Sequence, residues 1–313
     1  MFESIIALIE QYDKIIIHRH TKPDGDAMGS QIGLKKLIEA NYPGKKVLCV
    51  GDGAGRYSFV QKDAPDTVSD EDFHGALAII LDTSAKALIS DNRYEIADAT
   101  ARIDHHIFCE KIAQTEVTDT SFESCCSLIT ALAMEAGWSV TSEAATALYT
   151  GMVTDSGRFR YDSTTPETLR RAAFLLEAGI DTQDIYRNLY SDDFSYIRLR
   201  ASFVLKVKFT ENNVAYIYTT AREAAECGVD TFTISRGMVG VMGEIRGVDI
   251  WVNFTETEQG VLCELRSSRY NINPVAVKYG GGGHEKASGA TVADRESAML
   301  MLADLDKIAE ENK

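Results

Sequence analysis

No long stretch of this chain is basic. Its 313 residues carry 47 acidic against 32 basic side chains, a net charge of −15, whereas a protein that tracks long DNA or RNA shows a basic face. The acidity argues against an extended duplex as partner. No run approaches the ~20 apolar residues of a membrane span, so no membrane is expected either. Met1 to Asp13 alternates apolar residues with Glu3, Glu10 and Asp13, which predicts an amphipathic helix rather than a signal peptide. The six cysteines (Cys49, Cys109, Cys125, Cys126, Cys227, Cys263) form no CxxC pair; in a chain this large they read as reduced thiols of a cytoplasmic protein. Neither an internal repeat nor a low-complexity tract stands out. What remains, 45% apolar and 25% charged, is an ordinary globular composition long enough for two domains with cores of their own.

The chain is organised around Ile15-Ile16-Ile17-His18-Arg19-His20-Thr21-Lys22-Pro23-Asp24-Gly25-Asp26. The β-branched run predicts a buried strand, the Pro and Gly that follow predict a loop, and helical spacing of Met28, Ile32, Leu34 and Leu37 predicts a helix from near Asp26. His20, Asp24 and Asp26 form a set that suits a divalent cation such as Mn²⁺. The same residues also suit an Asx-rich turn with Asp26 capping the helix, and the stretch alone does not choose between these readings. Val47 to Val50, Ala76 to Leu81 and Ala101 to Ile103 read as further strands. They end at Gly51-Asp52-Gly53-Ala54-Gly55, at Asp82, and at Asp104-His105-His106. The glycine-rich stretch lacks the final spacing of a dinucleotide fingerprint and reads as a loop. Ser124 to Ala136 and Ser142 to Tyr149 are helical by spacing, and Gly151 to Gly157 closes the region with the isolated Asp155. Strands alternating with helices predict an α/β fold on a mainly parallel sheet, which gathers strand ends along one edge. A lone strand-end Asp is commonly a helix cap; four such sites, one of them Asp-His-His, point to metal chemistry.

Helical, acidic segments follow at 166–178 and 181–190, then a connector with a further helix. After it the texture changes to strands at 215–218, 250–254 and 261–265, a Gly280 to Gly283 run ending at His284, and a last helix from Arg295 to Glu310. Four consecutive glycines are entropically costly, which predicts close backbone approach or positive φ there. Their amides would make an anion nest to which His284 adds a donor; a tight turn before Ala287 is the structural alternative.

The series His20-x-x-x-Asp24-x-Asp26, Asp82, Asp104-His105-His106 and Asp155 resembles the DHH phosphoesterase superfamily, to which the RecJ nucleases and family II pyrophosphatases belong. Gly281-Gly282-Gly283-His284 with Leu265-Arg266-Ser267 resembles the DHH-associated C-terminal domain, and the whole is similar to the bacterial nanoRNase and pAp phosphatase type. That resemblance implies a DHH domain over 1–188, a helical linker over 189–205 and a smaller α/β substrate-binding domain over 206–313, with the active site in the cleft between the domains. It implies two divalent cations, Mn²⁺ by preference. His20, Asp24 and Asp82 would hold one; Asp26, Asp82, His105 and Asp155 the other, with Asp82 bridging. His106 would contact phosphate or assist proton transfer, with Asp104 orienting an imidazole. Arg266 and His284, with Gly282, Gly283 and the weaker candidates Ser267 and Arg269, would bind the substrate's phosphate end. His18 lies outside the motif and reads as structural. The implied activity is hydrolysis of short RNA (two to five nucleotides) to mononucleotides, or of pAp to AMP. A pApA or c-di-AMP phosphodiesterase is the alternative; a RecJ-like exonuclease or a non-catalytic nucleotide sensor fits less well. A homodimer is compatible with all of these.

Overall fold

Ile15, Ile16 and Ile17 are all fully buried, which only a strand covered on both faces allows. In the computed structural model, which describes residues 1–61 and 66–312, that strand lies inside a five-stranded, all-parallel sheet. The chain divides into two units, Met1–Ser191 and Asp192–Lys313. The first runs α1 (Glu3–Gln11), β1 (Lys14–His18), α2 (Gly25–Asn41), β2 (Lys46–Cys49), β3 (Leu77–Leu81), β4 (Ala99–Asp104), β5 (Thr115–Thr118), α3 (Cys125–Ala136), α4 (Ser142–Asp155), α5 (Pro166–Leu176) and α6 (Thr182–Tyr190). Strand order is β2-β1-β3-β4-β5, so the direction of growth reverses between β1 and β3. At such a switch point the loops leaving the two strands diverge and open a crevice.

Ile15 and Ile17 pack into the main core with α2, α3 and α4 through Met28, Ile32, Leu128 and Leu148. Ile16 and Ile80 face smaller clusters closed by Phe73, Tyr94 and Ile89. Two local expectations change. The short, polar Thr115–Thr118 forms an edge strand, a position where half the ladder is unpaired and apolar alternation is not required. Helix α4 does not stop near Tyr149 but continues through Gly151 to Asp155. Gly151 is tolerated there because α2 passes so close: a Cβ would drive into Cys126 Sγ and stand 3.0 Å from Asp26 Cα, while one on Gly29 would reach Ala147 O at 2.5 Å.

The second unit runs α7 (Phe194–Val204), β6 (Lys208–Phe209), β7 (Ala215–Thr219), α8 (Ala221–Glu226), β8 (Ile250–Thr257), β9 (Gly260–Ser267), α9 (Asn273–Lys278), β10 (Gly282–His284), β11 (Ala287–Val292) and α10 (Arg295–Glu311). Its sheet order is β10-β11-β9-β8-β7-β6, antiparallel except between β7 and β8. One face packs Val252, Phe254 and Leu265 against Met301 and Leu305 of α10; the other packs Ala215 and Ile217 against Phe203, Ile234 and Met238. The glycine run is not a simple turn: its second half is strand β10. Among the described residues no helix is long and apolar enough to cross a membrane.

The α2–α4 contact predicts that Gly151→Ala, which has no room for its methyl, destabilises the fold by roughly 1–3 kcal/mol through overpacking. A lower urea midpoint with an unchanged slope is the expected reading; a midpoint equal to wild type would mean the helices can part freely.

Candidate metal centre

Each acidic or imidazole group of the N-terminal motif series reaches the same edge of the parallel sheet by a different route. His20 follows β1. Asp82 follows β3 in the left-handed region (φ 50°), a conformation costing about 1–3 kcal/mol outside glycine that turns its side chain back over the sheet edge. Asp104 ends β4, and His105 and His106 leave it. Asp24 caps α2, its Oδ1 accepting from the amides of Asp26 and Ala27 at 3.0 Å. The helix cap is thus Asp24 rather than Asp26, and capping through Oδ1 leaves its other oxygen available to a ligand role. Asp26, in the first turn of α2, takes the amides of Cys125 (2.6 Å) and Cys126 (2.8 Å) at the start of α3, where the helix dipole favours a carboxylate. Asp155 arrives on the last turn of α4.

Three overlapping groups result: His20, Asp24 and Asp82; Asp26, His105 and Asp155; and Asp82, His105 and His106, each with its ligand atoms within 4.8 Å of one another. His20 Nε2 stands 3.8 Å from Asp24 Oδ1 and 3.5 Å from Asp82 Oδ2. His105 Nε2 stands 3.4 Å from Asp82 Oδ1, 3.4 Å from Asp155 Oδ2 and 3.7 Å from Asp26 Oδ2. Asp82 belongs to two groups and is almost wholly buried, yet its Oδ1 receives no aligned hydrogen bond. A buried carboxylate oxygen left without a donor fits a cation, and so does the mixed imidazole and carboxylate donor set.

The electrostatics carry the same signature of crowded negative charge. Burial, with Asp82 and Asp155 nearby, pushes Asp26 well above the usual carboxylate range. Burial likewise takes Asp155 to about 7 although His105 opposes it. Burial works against the His20 imidazolium, but Asp24 and Asp82 overcome it and lift the ring to about 11. His105 is lifted to about 10 against its burial by Asp82 and Asp26. Asp82, despite its burial, is held low by His105 and His20.

Around this centre stand groups that sequence reasoning passed over. Arg102 is fully buried and bonds Asp104, whose other oxygen meets His106 Nδ1 at 2.8 Å; the ring oriented by Asp104 is thus that of His106. Arg19 is buried too: Nε donates to Gln31 (2.9 Å), Nη1 to the His20 carbonyl (3.2 Å) and to Asp52 Oδ1 (2.8 Å). Asp52 Oδ2 also takes the Lys22 amide at 2.9 Å. The Gly51–Gly55 loop therefore clamps the His20 loop. The available signal was an arginine embedded in or beside an apolar strand, which burial obliges to find a partner. His18 stays outside the centre: burial drops it to about 4, its Nδ1 faces the Asp91 carbonyl at 3.0 Å, and its ring packs on Phe73 and Tyr94.

In the second unit, strand register lines up the other candidates. His284, Ala287, Arg266 and Trp251 form one row across four strands; Gly282, Gly289, Glu264 and Asn253 form the next. Paired residues share a face, so Arg266 and His284 project on the same side, two strands or ~10 Å apart, over a floor of Gly282, Gly289 and Ala287. The positive φ and close approach expected of the glycines are present: Gly280 has φ 79° and Gly283 φ 132°, and a Cβ on Gly281 would strike the Gly289 carbonyl. Two candidates are not brought to that face. Ser267 is one residue out of phase with Arg266, buried, and its Oγ takes the amides of Arg269 (3.1 Å) and Tyr270 (2.7 Å); it forms the turn. Gly283 is likewise out of phase.

Residues 14–152 match the DHH family, N-terminal domain, and residues 214–311 match the DHHA1 domain. Over 316 aligned positions the chain is 34% identical to the bifunctional oligoribonuclease and PAP phosphatase NrnA of Bacillus subtilis (strain 168), with 100% of each chain covered. It is 35% identical to the probable bifunctional oligoribonuclease and PAP phosphatase NrnA of Streptococcus mutans serotype c, over 98% of this chain and 99% of that one. A solved structure of an exopolyphosphatase-related protein from Bacteroides fragilis superposes with a TM-score of 0.81 at 26% identity, covering 98% of this chain and 95% of that one.

The clamp on the His20 loop predicts that Asp52→Ala leaves the fold intact and lowers divalent-metal affinity about 10- to 100-fold, the usual effect of removing a group that orients a ligand. Metal titration by calorimetry checks this; unchanged affinity would detach the clamp from the centre.

Proposed function

Since the chain belongs to the DHH family and carries the DHHA1 domain, we propose that it hydrolyses short oligoribonucleotides to mononucleotides and pAp to AMP, using divalent metal ions. It is a phosphoric ester hydrolase. The observation that carries the reading is the gathering of His20, Asp24, Asp26, Asp82, His105 and Asp155 at one sheet edge, in a chain similar throughout its length to enzymes named for both activities. Residues 1–188 are assigned the chemistry, 206–313 the hold on substrate, and 189–205 the connection. The setting is assigned to the cytoplasm, where reduced thiols are at home; all six cysteines are free.

Two ions, Mn²⁺ by preference, fit the donors: one at His20, Asp24 and Asp82, the other at Asp26, Asp82, His105 and Asp155. When bound, such a pair supplies a water nucleophile at neutral pH and neutralises charge on the phosphoryl oxygens. Everything else falls to side chains of this chain. Four carboxylates match the charge of two divalent ions, so the loaded centre accepts an anion without repelling it. His106, half-exposed and fixed by Asp104, is placed to donate a hydrogen bond to a phosphoryl oxygen or hand a proton to the leaving alkoxide. Arg102 holds Asp104 ionised for that purpose; burial disfavours the charge, but the His106 contact and Arg102 outweigh it. Arg266 and His284 take the substrate's other phosphate, the glycines between them keeping side chains out of its way.

Asp82 is the group both ions would share. Asp82→Asn should lose on the order of a thousandfold or more in kcat, as expected when several kcal/mol of metal assistance is removed, while circular dichroism stays that of wild type. Turnover within a few-fold of wild type at saturating Mn²⁺ would refute the sharing.

Chain-length selectivity tests the substrate class. Long single strands are held by extended basic grooves with stacking aromatics, which a net charge of −15 disfavours. On end-labelled RNA of about 2 to 24 nucleotides, the shortest oligomers should disappear far faster than the longest, releasing mononucleotides, with only modest sensitivity to salt. Processive loss of the longest RNA at an equal or higher rate would replace this reading with that of a RecJ-like exonuclease.

A further inference from the structure

Resting on the hydrolase reading above, we propose that Arg236 is a second anchor for the substrate's terminal phosphate, set beside Arg266 by the carboxylate of Glu264. Glu264 lies between the two arginines. Its Oε1 accepts from Arg236 Nε at 3.0 Å and its Oε2 from Arg266 Nη2 at 3.2 Å. The glutamate side chain is 12% exposed and that of Arg236 59% exposed, so the carboxylate forms the base of the cluster and Arg236 its outward side.

The two arginines are engaged differently. Arg266 spends Nη1 on the carbonyls of Leu265 (2.8 Å) and Ser288 (3.4 Å). Arg236 is held through Nε alone, and among the described residues its two terminal nitrogens meet no acceptor. A guanidinium gripped at Nε presents the paired terminal edge that fits two phosphate oxygens at once. Two guanidinium groups against one carboxylate leave a unit of positive charge here, in a chain that is otherwise strongly acidic.

A solvent-facing Arg–Glu pair commonly contributes little, and that is the alternative to be met. The backbone under Arg236 speaks against it. Thr233–Gly237 is a π-helical turn, a rare geometry that recurs at functional sites. Asn253, fully buried on β8 and the register partner of Glu264, donates to the carbonyls of Ile234 and Ser235, both at 2.8 Å. Ile234 and Ser235 are themselves buried. One row of the sheet thus fixes both the carboxylate and the turn that carries Arg236. The Phe232 ring, 5.6 Å from the guanidinium carbon, braces it from the same turn.

The test compares pApA with ApA, which differ only in the terminal phosphate, under saturating Mn²⁺. The contribution of that phosphate, read as the pApA to ApA ratio of kcat/KM, should shrink about 10- to 100-fold in Arg236→Gln, the range of a charge-assisted hydrogen bond. The change should sit in KM, and Arg236→Lys, which keeps the charge and loses the fork, should recover part of it. Glu264→Gln should lower the ratio in the same direction, since both arginines lose their alignment. An unchanged ratio in Arg236→Gln, or equal losses on both dinucleotides, overturns the anchor while leaving the hydrolase intact. A wild-type protein that leaves pApA, ApA and pAp all uncut overturns the hydrolase reading itself, and the anchor falls with it.

Discussion

A carboxylate almost sealed from water at the end of a central strand has to be compensated, and the first unit is arranged around that necessity at Asp82. The residue bends into the left-handed region, keeps one oxygen free of aligned donors, and is ringed by three imidazoles from two other strand ends. The parallel sheet supplies the positions, because the loops leaving the paired strands β1 and β3 diverge at the switch point and β4 lies next along. The helices supply the remaining acids: α2 carries Asp26 onto the first amides of α3, and α4 lies close enough to α2 for its final turn to carry Asp155 to the same imidazole. Behind these stand Arg19 and Arg102, buried cations that offset acidic neighbours and hold the His20 and His106 segments in place.

The second unit solves an opposite problem with different material. On the proposed reading it would attract an anion while belonging to an acidic chain. Its antiparallel register puts Arg266 and His284 in one row and Glu264 with two glycines in the next. Charge therefore stands at the borders of the patch, with Gly282, Gly289 and Ala287 between. A β-sheet achieves this with few residues because alternate positions share a face.

Much of this was legible in the sequence because the decisive signals were local. Apolar runs ending in Asp or His marked β1, β3 and β4 and their edge, and the motif series named the family that the full-length similarity bears out. What escaped was set by pairing at a distance. The helix from Ser142 read as reaching only Tyr149, short of Asp155, because Gly151 disfavours a helix until the proximity of α2 is known. The glycine run read as nest or turn, whereas its pairing with β11 makes half of it strand. Ser267 is adjacent to Arg266 in sequence and on the opposite face in space. Arg102 is the exception: its place inside an apolar strand was a local signal, and its partner Asp104 lies two residues on.

The bare floor between Arg266 and His284 has a consequence for what kind of reader this protein can be. Gly282, Gly289 and the Ala287 methyl offer shape and backbone polarity but no polar side chain. A phosphate seated there would be held without contact to the base it carries. Discrimination among bases would then have to come from side chains beyond these three positions.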